Sequence, residues 1–185
     1  MKRLLLVALV LLAGCGGSDA KLGLRLDDFP GSGWREYGED HNDTTCKSLV
    51  AAKDSAKTYA ASPQFEHQDG LLATSRVYVY ADGDAAHRGF VSLTSDETGV
   101  CLAKSLGDKA AQPVEIAAVG QEHAAIRATA PATDKHPAGV FDLVFARNGD
   151  RVVELIFIGL KKPFEPGLRD QLTAKVVGRQ SLRAG

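Results

Sequence analysis

Between Leu71 and Ala81 the chain alternates in strict period two. Ser75, Val77 and Val79 fall on one side, and Arg76, Tyr78 and Tyr80 on the other. A β-branched and aromatic run with that period predicts a strand. The same signal returns, stronger, in Phe141–Arg147 and Asp150–Ile158, two apolar runs flanking Asn148-Gly149. Asn-Gly in that position predicts a type I′ hairpin with Asn148 and Gly149 as its central residues, because both need positive φ. Phe141, Leu143 and Phe145 or Val144 are expected to face the core, opposite Val153, Leu155 and Phe157. Val114–Val119 and His123–Ala130 read as two shorter strands joined by a turn at Gly120.

Helical spacing occupies the remaining apolar stretches. Cys46, Leu49, Val50, Lys53, Ala56 and Lys57 recur at three and four residues, which predicts a helix capped by Thr44 or Thr45, with Cys46 in its first turn. It must stop before Ser62-Pro63, since a residue preceding proline avoids the helical region. Asp82 or Asp84 caps a second helix with the stripe Ala86, Phe90 and Leu93. A third follows with Cys101, Leu102 and Leu106 inward. The last begins near Pro166 and repeats Leu168, Leu172 and Val176. Strands gathered in a run between helices predict an α+β single domain: an antiparallel sheet of about five strands covered by helices.

One apolar run belongs to none of this. Met1-Lys2-Arg3 precedes ten residues, Leu4–Ala13, and then Gly14-Cys15. Ten helical residues span about 15 Å, half a bilayer core, so the run is too short for a permanent membrane helix. A charged start, a short apolar stretch and small residues before a cut site describe a secretory signal. Leu12-Ala13-Gly14-Cys15 resembles the bacterial lipobox, and the resemblance implies cleavage before Cys15 and a diacylglyceryl group on its thiol. The expected organisation is a signal peptide over 1–14, a lipidated tether over 15–25 that includes Gly16-Gly17-Ser18, and the domain over 26–185. The turn-rich stretch from Lys21 to Trp34 leads in near Leu24 and Leu26, with Phe29 and Trp34 packed against the fold. Loss of Lys2 and Arg3 changes the formal charge from −1 to −3, which leaves little bulk attraction for nucleic acid.

With Cys15 committed to lipid, Cys46 and Cys101 remain. Outside the cytoplasm a leftover pair reads as a disulfide, with buried free thiols as the alternative. Closing a loop of 55 residues stabilises by roughly 4 kcal/mol in the chain-entropy description.

The Cys-bearing first helix, the Val77-Tyr78-Val79-Tyr80 strand and the Asp82-Gly83-Asp84-Ala85-Ala86 helix start together resemble extracytoplasmic sensor-type domains of actinobacterial lipoproteins and receptor kinases, whose shape is of the Mog1/PsbP type. The anchor, together with the absence of catalytic spacing, points to a non-enzymatic binding or sensing module on the outer side of the membrane, and a helix-covered sheet offers a cleft for a small apolar ligand or a partner protein. Candidate chemistry adds little to this. His41, His67, His87, His123 and His136 are scattered, and none has a metal-ligand spacing with a carboxylate. His41 within Glu39–Asp43 is the most polar cluster, and it reads as a solvated loop. No serine stands in a nucleophile-elbow pattern, and no glycine pattern cradles phosphate. Glu115, Glu122 and Glu154 are expected to point outward from strands. No catalytic residue, cofactor or metal is therefore assigned. The alternatives are a small cell-envelope hydrolase assembled from distant residues, or a lipid carrier with a hollow lined by Phe90, Phe141 and Leu155.

Overall fold

A computed structural model describes residues 22–39, 46–108, 110–134, 137–160 and 162–181. Cys15, His41, Thr44, Thr45 and His136 lie outside them. The strands are β1 (Trp34–Gly38), β2 (Thr58–Ala61), β3 (Gln64–His67), β4 (Leu71–Val79), β5 (Gln112–Pro113), β6 (Glu122–Ala130), β7 (Gly139–Asn148) and β8 (Arg151–Leu160). The helices are α1 (Lys47–Ser55), α2 (Gly83–Leu93), α3 (Asp96–Leu106) and α4 (Pro166–Ser181).

All the strands belong to one antiparallel sheet in the order β1-β3-β4-β8-β7-β6-β5, with β2 also on β4. The α+β class is the expected one, but the sheet has eight strands rather than five. The additional ones, β1, β2 and β3, are short strands on the β4 side of the sheet. Thr58–Ala61 and Gln64–His67 share one edge of β4, and four residues carry too little period to register. Val114–Val119 is not a strand: pairing stops at Pro113, and only the Val114 amide continues it, to the Ala125 carbonyl. The β7–β8 turn is displaced by one residue from its expected place. Asn148 still pairs with Arg151, so Gly149 and Asp150 are central, and Gly149 supplies the positive φ of 62° at the first position.

Both faces of the sheet are covered. Val77, Val144, Val153, Leu155 and Phe157 pack under α4 with Phe65, Leu172 and Val176. Tyr78, Leu143, Phe145, Val152 and Ile156 pack under α1 and α2 with Leu49, Phe90 and Leu93. This is why β8 reads as a near-continuous apolar run: a strand covered on both sides has no outward face. It also explains why Glu154 is buried and not outward. Its carboxylate accepts from Arg76 Nη1 at 3.2 Å and from Tyr78 Oη at 2.6 Å. The α2 cap is Asp82, whose Oδ1 accepts from the Ala85 amide at 2.8 Å. Cys46 is the residue before α1 and not in its first turn, and it is bonded to Cys101 of α3 with Cα atoms 5.7 Å apart. Within α3 the fully buried side chains are Thr98 and Ala103, while Cys101, Leu102 and Leu106 are half-buried.

The described chain begins already packed. Leu22 and Leu24 are buried in the α4-side core, whereas Leu26 is exposed. The Leu24 amide donates to Ser75 Oγ at 2.8 Å, Gln180 Nε2 to the Leu22 carbonyl at 2.9 Å, and Arg179 Nη2 to the Gly23 carbonyl at 2.6 Å. Arg179 also forks onto Asp28. Burial works to raise the Asp28 pKa, but the hydrogen bonds from Arg179 and the Arg25 amide and the nearby positive charges outweigh it and hold it below the ordinary value. Phe29 stacks on Trp34 at 4.2 Å, as expected of both rings.

Candidate functional site

One opening lies at the end of the sheet where β4 begins, β8 ends and α4 starts. Gly159 makes the turn possible: a Cβ there would stand 1.9 Å from the Lys162 carbonyl oxygen and 3.0 Å from the Phe164 nitrogen. The chain then reverses through Lys162-Pro163-Phe164-Glu165 into α4. Phe164 is buried against Phe157, with ring centroids 4.9 Å apart. Glu165 caps the helix, accepting from the amides of Gly167 at 3.0 Å and Leu168 at 2.5 Å. Leu71, Phe164, Pro163 and Pro166 line a groove of about 480 Å³, with Arg127 and Lys162 contributing cationic groups.

Arg127 reaches this groove from β6 because its cross-strand neighbour is Asp142. The two form a bidentate pair, Nε to Oδ1 at 2.6 Å and Nη2 to Oδ2 at 2.7 Å. Asp142 also takes Arg169 Nη1 of α4 at 3.2 Å, and Arg169 donates to Asp170 and to the Glu115 carbonyl. The hydrogen bonds to Asp142 raise the Arg127 pKa. Its charge is thus permanent and directed inward, Glu165 is committed to the helix, and Lys162 is exposed at the rim. An apolar floor beside one ammonium suits a small molecule with an apolar body and an acidic end.

Two other openings are smaller. One of about 350 Å³ separates α1 from α2 over Tyr80, whose hydroxyl donates to the Ala52 carbonyl at 3.2 Å. One of about 410 Å³ adjoins His123 and Glu115 at the β5 end of the sheet. The expected hollow lined by Phe90, Phe141 and Leu155 does not form. Leu155 belongs to the α4-side core, while Phe90 and Phe141 pack on the opposite face.

The histidines stay apart. His67 sits against Trp34, with Nε2 3.3 Å from the Ser32 carbonyl and Nδ1 accepting from the Asp69 amide. His87 is exposed on α2, with Nδ1 2.9 Å from Glu122. The His87 hydrogen bond, followed by that of Arg147, holds the Glu122 pKa below the ordinary value. His123 is exposed. Glu115, Glu122 and Glu154 do not form a carboxylate pair, since Glu122 bonds His87 and Arg147 and Glu154 bonds Arg76 and Tyr78. Among the described residues no three His, Cys, Asp or Glu side chains gather as metal ligands, and no helix is long and apolar enough to cross a membrane.

Sequence reading did not single out Arg127, Lys162 or Phe164. The one signal for them is the paired prolines bracketing Phe164-Glu165, which mark a rigid turn into a helix.

No family model and no curated protein sequence matches the chain. Among solved structures, the extracellular domain of PknH from Mycobacterium tuberculosis has a similar fold, with a TM-score of 0.60 and 12% identity. The match covers 89% of this chain and 95% of that one. At this identity the likeness is one of fold, and it agrees with the fold implied by the resemblance to extracytoplasmic sensor-type domains.

Proposed function

We propose that the chain is a lipid-anchored, non-enzymatic binding module on the outer face of a bacterial membrane, and that the groove at the start of α4 receives its ligand. The observation that carries this reading is the fold shared with an extracellular domain over nearly the full length of both chains. The signal pattern ending at Cys15 and the Cys46–Cys101 disulfide support the same compartment. The ligand class follows from the groove: an apolar body against Leu71, Phe164 and the prolines, and an acidic group near Lys162.

Fractionation of cells expressing the full chain tests the anchor. Wild type is expected in the membrane pellet, with the mass of Cys15 increased by acyl chains, and Cys15→Ala in the soluble fraction with its fold intact. A Cys15→Ala protein that still pellets overturns the anchor. A thermal-shift screen of fatty and aromatic acids against the mature domain tests the groove. Stabilisation by such an acid should be lost in Lys162→Ala. Turnover of an ester or peptide panel by the pure domain would overturn the non-enzymatic reading.

A further inference from the structure

We infer that the anchored domain stands in one polarity on the bilayer, with the β7–β8 turn towards the lipid and the α4 groove away from it. The inference rests on the anchor at Cys15 proposed above. Its structural basis is where the packed chain begins. Leu22 is held by the last turn of α4 through Gln180, and the Gln180 carbonyl accepts from Arg151, the first residue of β8. Leu24 is fixed beside Ser75, at mid-length of β4. Leu22 therefore lies in the half of the molecule that ends at the β7–β8 turn.

That end also carries the start of α2. The Tyr80 amide donates to the Asp150 carbonyl, and Gly83 lies against the Gly149 carbonyl. The other end is marked by Gly70, Leu71, Leu160 and Pro166, and it contains the groove. Nine strand steps from Arg151 to Leu160 separate the two ends by about 30 Å.

Six residues, 16–21, connect Cys15 to Leu22. Seven chain steps reach at most about 25 Å, and a flexible coil of that length spans about 15 Å on average. A domain inverted on the surface would have to hold Leu22 roughly 20–30 Å above the lipid, given the strand rise and a position between mid-sheet and the β7–β8 end. Over all of that range the tether is stretched past its average span, and at the upper end past its full reach. The upright arrangement demands nothing of it. Exposed Asp82, Asp84 and Asp150 at the lower end give no reason for insertion into lipid, so the polarity is imposed by the tether and not by an apolar surface. The groove consequently opens to the aqueous side, and its ligand arrives from there and not from the bilayer.

The test uses the full lipidated chain in phosphatidylethanolamine–phosphatidylglycerol vesicles containing an acceptor dye on the headgroup. A donor dye is placed on Asp84→Cys at the lower end or on Asp69→Cys, exposed in the turn before β4 at the upper end. With poles about 30 Å apart, energy transfer from position 84 should exceed that from position 69 at least about twofold. Inserting twenty Gly/Ser residues after Ser18 should remove the difference, since a coil of that length spans about 28 Å. Equal transfer from both positions with the native tether, in protein that floats with the vesicles, overturns the polarity alone. Failure of the wild-type protein to float overturns the anchor and the polarity with it. A difference that persists with the long tether overturns the tether as its cause.

Discussion

Asp142 bears more charge than any single carboxylate can balance. It is 1% exposed and receives two guanidiniums, from Arg127 of β6 and Arg169 of α4, and Arg169 is itself 2% exposed. Removing the negative charge leaves two cations facing one another beside the groove that Arg127 lines. Breaking a buried pair from one side costs about 3–5 kcal/mol. Asp142→Asn is expected to lower the urea midpoint by a corresponding amount without changing the slope, and a loss under about 1 kcal/mol would show that Asp170 alone suffices for Arg169. The two buried phenols give a second expectation. Burial, then the neighbouring Glu154 charge, pushes the Tyr78 pKa well above its ordinary value, and burial pushes Tyr80 up to about 12. Both folded-state values exceed the unfolded value of about 10. The stability they contribute is therefore complete below pH 10 and falls as pH rises from 10 towards 12. In an alkaline titration these two residues should gain tyrosinate absorbance only together with the loss of near-ultraviolet dichroism. Ionisation of Tyr78 near pH 10 in a folded protein would contradict the buried Tyr78–Glu154 bond.

The close approach of α2 to the sheet depends on one small residue. A Cβ on Gly89 would stand 2.3 Å from the Tyr80 ring, whose hydroxyl is already bonded to α1. Gly89→Ala gains about 1 kcal/mol of helix propensity and meets an overpacking cost of about 1–3 kcal/mol with no flexible neighbour to yield. It should destabilise. Gly178→Ala is the contrast: it lies inside α4 with nothing within 4 Å of the added atom, so propensity acts alone and the midpoint should rise. Denaturant unfolding of the two variants separates packing from propensity, and opposite signs are expected. The same elements mark what could be read without coordinates. The Ala86, Phe90 and Leu93 stripe and the alternation of Val77, Tyr78 and Val79 survived because long elements repeat their period often enough to be distinctive. Thr58–Ala61 and Gln64–His67 did not, because four residues are too few to repeat a period. Glu154 was misplaced for a different reason. Polar residues on a strand signal water only when one face is bare, and here both are covered. The groove was invisible because Arg127 and Phe164 are 37 positions apart and meet only through the β6–β7–β8 ladder.

The first described residues are where the sequence reading and the folded molecule diverge most. Turn residues from Lys21 to Trp34 read as linker, with the domain opening at residue 26. In the structure Leu22 is 3% exposed and Leu24 is 1% exposed, and residues 22–28 form a strap bonded to α4 through Arg179 and Gln180. Leu24 enters the fold as its place near the expected entry implied, whereas Leu22 was not expected in the core and Leu26 is exposed, because a strap that packs through single side chains needs neither helical nor strand period. A chain starting at Leu22 is expected to fold with full stability. One starting at Leu26 loses both leucines, each contributing about 1.5–3 kcal/mol on burial, and leaves Ser75 Oγ and Gln180 Nε2 without those partners. Urea unfolding of the two truncated proteins should differ by about 3–6 kcal/mol, with the shorter one also losing protection from hydrogen exchange along α4 before β7 and β8. Equal midpoints would mean that the strap is an ornament on an independently stable sheet.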